Sequence, residues 1–274
     1  MNIYCNGDSY TAGAEILDYQ FPDFPGYSPN GSHLAVHADH NWANIRRQKG
    51  IEFFGSYENL ISKEKEYAWP GQFKKIDTKI NVINGGVNGS SITGIANRTL
   101  IDLLKNKDKK FDFIFIQLTG PLRIEFYNST LLNRHFMREQ AMGWIETLPN
   151  KFERDIASGY LKYYENSDFS IKYLYALINL KYAVKGITGI EPIFLMGMKI
   201  WKDQIINPLL ENDILKKNTH IQLMLDNSGI LEIPEENIME TTQMKNNFLF
   251  TPVKHYELKC HEEYARIIYN RYLK

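Results

Sequence analysis

Met1-Asn2-Ile3-Tyr4-Cys5-Asn6-Gly7-Asp8-Ser9-Tyr10-Thr11-Ala12-Gly13 opens the chain, and its reading decides the fold. Met1 to Cys5 is a short apolar strand. Gly7-Asp8-Ser9 supplies small, turn-forming residues, and the residues after Ser9 suit a helix. A strand that ends on such a turn sets a hydroxyl at the C-terminal edge of a parallel sheet, where α/β proteins place their sites. Ser9 is therefore the first candidate nucleophile. The same tripeptide also suits a plain turn and helix cap, because Asp and Ser bond their own backbone there.

Working outward, Lys79 to Asn84 reads as a second strand stopped by Gly85-Gly86. Phe111 to Leu118 is a third, almost continuously apolar as a strand covered on both faces must be. Pro192 to Met198 is a fourth. Helical spacing runs through Ile92 to Leu104, through Ser170 to Lys185 and through Leu258 to Tyr272. Strands alternating with helices predict an α/β fold: a three-layer open parallel sheet flanked by helices, flavodoxin-like in kind. No repeat and no low-complexity linker divides the chain, so residues 1–274 are expected to form a single domain. Two stretches interrupt that plan as insertions. Residues 18 to about 62 lack periodicity and are rich in Pro, Gly, Asn and aromatic residues, and residues 123 to about 159 read as polar, aromatic and helical. Such segments over a sheet edge serve as lids, binding walls or plain surface elaboration.

Composition excludes several classes of partner. With 274 residues, 43% hydrophobic and 23% charged, the chain can bury a large core. Thirty-two basic residues balance thirty-two acidic ones, so no overall field favours nucleic acid or an anionic membrane. Cys5 and Cys260 are too few for a disulfide framework and are expected to be buried free thiols. Asn6 and Asp8 interrupt the N-terminal apolar run, which argues against a signal peptide, and no segment approaches the roughly 20 apolar residues of a membrane span. A location in the cytoplasm, or release by a route that the sequence does not show, is expected. Oligomeric state is not legible.

Two further blocks accompany Gly7-Asp8-Ser9. Asn84-Gly85-Gly86-Val87-Asn88-Gly89 follows the second strand, with Ala68-Trp69-Pro70 ahead of it, and His255-Tyr256-Glu257-Leu258-Lys259-Cys260-His261 leads into the last helix. The glycine-rich block lacks the Gly-Lys-Ser/Thr of a phosphate loop. Together the three blocks resemble the GDSL/SGNH hydrolase superfamily. The resemblance implies Ser9 as nucleophile, His255 as general base, His261 as the trailing histidine of the last block, and the amides of Ser9 and Gly89 as oxyanion donors. Physically, an imidazole within reach takes the proton from a poorly nucleophilic hydroxyl, and amides aimed into the cleft bind the developing negative charge.

Two departures stand out. Pro252 occupies the place of the family's Asp three residues before the base, with Glu257 and Glu240 as sequence-near alternatives. Pro121 occupies the place of the Asn that serves as third oxyanion donor. Thr119, Gln117 and Arg123 are candidates to replace that donor, and Arg123 and Asp8 are candidates to bind substrate. SGNH-like proteins of phage and of surface-polysaccharide gene clusters look similar in this segment. His33, His37, His40 and Asp39 cluster, but without the Glu of a His-Glu-x-x-His helix, so no metal and no other cofactor is expected. With Tyr19, Phe21, Phe24, Tyr27 and Trp42 they suit a wall against sugar rings. The resemblance therefore implies a serine esterase acting on O-acyl esters of a small molecule or glycan, with O-acetyl on carbohydrate as the leading case. An O-acyltransferase and a non-catalytic carbohydrate-binding or virion protein are the alternatives.

Overall fold

The computed structural model describes residues 1–14, 16–17, 48, 51–121, 123–128, 131–137, 151, 154–155, 158–159, 165–248 and 256–274, with the backbone alone over 123–128 and 131–137. Four parallel strands form the main sheet: β1 (Asn2–Asn6), β2 (Asn81–Asn84), β3 (Phe113–Leu118) and β6 (Ile193–Met196), in the order β2-β1-β3-β6. Strand β3 runs Phe-Ile-Phe-Ile-Gln-Leu with every residue from Ile114 to Leu118 buried, so both of its faces are covered. Burying each of these large apolar side chains is worth about 1.5–3 kcal/mol.

The chain crosses the sheet in both directions, which puts helices on both faces. From β1 it passes through α1 (Ser9–Ala12), α2 (Tyr57–Tyr67) and α3 (Trp69–Ile76) to β2, then returns through α4 (Ile92–Lys105) to β3. On one face, Tyr4 Oη donates to Asp102 of α4 at 3.0 Å and Asn6 Nδ2 donates to Thr99 Oγ1 at 2.8 Å. Helix α5 (Asn166–Thr188) packs beside α4, with α6 (Lys199–Leu210) and α8 (Thr219–Ser228) against it; the short α7 (Asp213–Lys216) joins the last two. On the other face, α3 packs against the final helix α10 (Leu258–Tyr272), which α9 (Met239–Asn246) also touches. There the Trp69 ring meets Phe73, Phe115 and Tyr264 edge to face at 5.6, 6.3 and 5.8 Å. The open parallel sheet between two helical layers is the architecture that the strand and helix pattern predicts.

One expectation is corrected. Residues 123–159 read as helical, but Arg123–Asn128 (β4) and Leu131–Met137 (β5) form an antiparallel pair, with Ile124 opposite Phe136 and Glu125 opposite His135. The physical reason is a period of two: Arg-Ile-Glu-Phe alternates polar with apolar, and Asn128-Ser129-Thr130 are turn formers. Both cysteines are free and buried, as expected. Among the described residues no helix is long and apolar enough to cross a membrane, and none group as three or more metal-ligating side chains.

Candidate active site

In a sheet ordered 2-1-3, consecutive connections leave β1 and β3 in opposite directions, and a crevice opens at their C-terminal ends. Gly7-Asp8-Ser9 leaves β1 at that point, and Thr119-Gly120-Pro121 leaves β3 there. Asp8 caps α1: its Oδ1 accepts from Tyr10 N at 3.1 Å, satisfying one of the first-turn amides that lack an intrahelical acceptor. Its Oδ2 accepts from Thr119 Oγ1 at 3.0 Å, tying the two lips of the crevice together. Tyr173 of α5 in turn donates to Thr119 O at 2.8 Å.

Ser9 is the first residue of α1, and its hydroxyl is buried with no hydrogen-bond partner among the described residues. Its neighbours are engaged elsewhere. Thr11 Oγ1 donates to Gln117 Oε1 at 2.7 Å, and Trp69 Nε1 donates to the same oxygen at 3.2 Å. Gln117 Nε2 lies 3.9 Å from Met239 Sδ, so the Gln117 amide supports α1 from behind. Thr119, read from the sequence as an oxyanion donor, directs its hydroxyl at Asp8, and the Asp8 carboxylate is wholly buried.

The glycine-rich loop lies along α1. Asn84 Nδ2 donates to Thr11 O at 2.8 Å, Asn84 Oδ1 accepts from Gly86 N at 2.9 Å, and Val87 N donates to Gly7 O at 3.2 Å. A Cβ on Gly86 would sit 2.7 Å from Ala12 N, so only glycine allows this close approach of loop to helix. Gly89 has φ of 74°, the left-handed region that L side chains disfavour, and its amide direction follows from that turn.

An aromatic group closes the other side. The Tyr10 ring stacks on Tyr256 at 4.9 Å and lies 5.6 Å from Trp201. Tyr256 Oη donates to Gly197 O at 3.1 Å, and burial, with nearby negative charge from Glu240 and Asp8, pushes that hydroxyl well above its ordinary pKa. His261 is buried, its Nδ1 accepting from Trp69 N at 3.1 Å, which ties α10 to the first turn of α3. Pro70, the second residue of α3, suits that turn because its missing N–H has no partner to lose.

Of the remaining candidates, Arg123 is the first residue of β4, opposite Met137. Glu240 is engaged at the start of α6, where its Oε2 accepts from Lys199 N at 2.7 Å, and Glu257 is the N-cap of α10. His255, Pro252, the cluster of His33, His37, Asp39 and His40, and the aromatic residues Tyr19, Phe21, Phe24, Tyr27 and Trp42 lie outside the described residues. The Asp8–Thr119 bridge and the Tyr10–Tyr256–Trp201 stack are contacts that the sequence reading does not contain.

No family model and no curated protein matches this chain. Six chains of solved structures do. Over its whole length, the chain is similar in structure to a lipolytic G-D-S-L family protein. That neighbour, from Veillonella parvula DSM 2008, is matched over 100% of this chain and 99% of its own, at 11% identity and a TM-score of 0.43. An alpha/beta hydrolase enzyme from the metagenome of Lake Arreo, Spain, is matched over 98% of this chain and 93% of its own, at 10% identity and a TM-score of 0.38.

Proposed function

We propose that this chain is a serine ester hydrolase with Ser9 as nucleophile, acting on O-acyl esters and foremost on O-acetyl groups of a carbohydrate. One observation carries the reading: a buried hydroxyl at the crevice end of β1 has no partner among the described residues, while Asp8, Thr11, Thr119 and Gln117 around it are all bonded. A buried polar group left unsatisfied costs about 1–3 kcal/mol, a cost that a group held for chemistry can justify.

In the proposed reaction Ser9 Oγ attacks the ester carbonyl carbon while His255 takes the hydroxyl proton. The oxyanion forms against the amides of Ser9, in the first turn of α1, and of Gly89. The carbon–oxygen bond to the alcohol breaks, and the alcohol leaves with the proton from His255. Water, deprotonated by the same imidazole, then releases the carboxylic acid and restores Ser9. Asp8 and Thr119 hold the crevice in shape from the two strand ends. Arg123 is the candidate to meet a substrate carboxylate or phosphate, and no cofactor enters the scheme.

The test is turnover of p-nitrophenyl acetate and of an O-acetylated glycan by the wild-type chain, Ser9→Ala and His255→Ala. Ser9→Ala abolishes turnover, and His255→Ala lowers it by at least about 10²-fold, because base and nucleophile act as a unit. Equal turnover in Ser9→Ala overturns the reading. Acyl transfer to an added acceptor glycan in preference to water would assign the chain as an acyltransferase.

A further inference from the structure

The Gly89 amide is carried by a loop whose shape is set largely from outside the crevice. Before Gly89, the loop is held by Asn84 and by Gly7 O. After it, Ser90 Oγ donates to Val87 O at 2.7 Å and closes a turn across Asn88 and Gly89. Ser90 is wholly buried. The same oxygen is bonded by Arg98 Nη2, from the second turn of α4. A hydroxyl has one proton and two lone pairs, whereas a guanidinium only donates. Arg98 therefore donates to Ser90, and the Ser90 proton is left for Val87 O. No alternative direction exists for this relay.

We propose that Arg98 is a positioning residue for the Gly89 amide, acting through Ser90. The inference rests on the ester-hydrolase reading and adds to it the device that aims one oxyanion donor. A charge-assisted bond is roughly twice as strong as a neutral one, and a donor pulling on the Ser90 oxygen strengthens the bond its proton makes. With Arg98 in place, the bond from the Ser90 hydroxyl to Val87 O is strengthened and the Val87–Ser90 turn is held, and with it the left-handed Gly89 and the direction of its amide. Without Arg98 the Ser90–Val87 bond loses that charge-assisted support and the loop relaxes. A displacement of about 1 Å in a positioned group can cost up to about 10²-fold in rate.

Two measurements on the full chain test this, ester kinetics with p-nitrophenyl acetate and the amide resonance of Gly89 in [15N]glycine-labelled protein, each alongside thermal melting. Arg98→Ala and Ser90→Ala are each expected to lower kcat about 10-fold or more with KM within about 2-fold, to shift the Gly89 resonance, and to leave the double variant no slower than the worse single one. Ser90→Thr, which keeps the hydroxyl, retains kcat within about 3-fold. Guanidinium added to Arg98→Ala restores part of kcat, but does nothing for the double variant. Wild-type kcat in Arg98→Ala, or losses that multiply in the double variant, overturns the proposal. If Arg98→Ala does not fold, Arg98→Lys decides, with a lowered kcat at a near-wild-type melting temperature supporting the relay and an unchanged kcat overturning it. If the wild-type chain shows no Ser9-dependent turnover, the hydrolase reading fails on its own, and an unmoved Gly89 resonance in Arg98→Lys and Ser90→Ala still overturns the relay.

Discussion

Tyr10 and Tyr256 stack with ring centroids 4.9 Å apart and planes 30° from parallel, joining the residue after Ser9 to the residue after His255 across nearly the whole sequence. Offset aromatic pairs of this kind add about 0.5–1.5 kcal/mol beyond the area they bury. The pair is anchored, because Tyr256 Oη donates to Gly197 O at the end of β6 and Trp201 lies against the other ring. The first and last blocks of the chain are thus fastened to one another at the edge of the sheet where the crevice opens.

Tyr256→Phe is expected to keep the stack and lose the bond to Gly197 O, which still accepts from Glu240 N at 3.0 Å, so the cost is that of a single hydrogen bond, about 0.5–1.5 kcal/mol. Tyr256→Ala removes the ring from a fully buried position and costs about 3–5 kcal/mol. Urea unfolding of the two variants checks the order. Equal losses would show that the ring contributes nothing beyond its hydroxyl.

Thr119→Val tests the bridge between the strand ends. Valine keeps the shape but leaves Asp8 Oδ2 without the donor it has here, so stability falls by about 1.5–3 kcal/mol, as for a bond to a charged group. Thr119→Ser keeps the donor and loses only a methyl, about 1 kcal/mol. If Thr119 acts through Asp8, Asp8→Asn combined with Thr119→Val loses less than the sum of the single losses, and a double-mutant cycle in denaturant measures the difference.

The framework is legible in the sequence where one signal dominates. The run Phe113–Leu118 declares a strand buried on both faces, and Gly7-Asp8-Ser9 declares a strand-ending turn that sets a serine at the edge of the sheet, both from neighbouring residues alone. Helix α2 is not legible, because Glu64 stands at the buried position one turn after Leu60 and a charge there hides the apolar stripe. Between Lys199 and Asn246 the helices are separated at Asn212, Asn218 and Gly229, three of them have ten residues or fewer, and the longest, α6, carries Pro208 inside it, a residue that reads against a helix. The hairpin β4–β5 carries its alternation openly, but its polar and aromatic content reads equally as helix. At the site, Ser9 follows from the local turn. The Asp8–Thr119 bond spans 111 residues and depends on the β1–β3 register, which no local pattern contains.

His261 is expected to matter as an acceptor. Its Nδ1 receives the Trp69 amide, a helix-first-turn N–H buried away from water. His261→Phe fills the space and leaves that amide without its acceptor, costing about 1–3 kcal/mol. His261→Asn, whose side-chain oxygen can take the place of Nδ1, is expected to lose less of the bond while losing more packing. Melting of both variants separates the two terms, and identical stability of His261→Phe and wild type would remove the bond from the account.

Lys65 gives a pH dependence whose sign can be worked out. Its Nζ donates to Asn84 O at 3.1 Å, at the start of the glycine-rich loop. Burial lowers its pKa, Arg98 nearby lowers it further, and Asp102 opposes them. In the unfolded chain the amine titrates near 10.4. Between the depressed folded value and that one, the unfolded state holds more protons than the folded state, so stability rises as pH rises through this window. Below it, the cost of burying the charge is present in full. Cys5 and Cys260, raised by burial, act in the opposite sense once unfolded thiols ionise at about pH 8.5, and Tyr4, raised by burial and by Asp102, does so at about pH 10. The Lys65 contribution is therefore read as a difference: in urea unfolding at several pH values below about 10, the slope of stability against pH is expected to be more positive in wild type than in Lys65→Met, with Lys202, also lowered by burial, and the two thiols common to both. The same variant breaks the tie to Asn84 O, so at neutral pH the relief from removing a buried charge is offset by a lost charge-assisted bond. Identical slopes in wild type and Lys65→Met would remove Lys65 from the account.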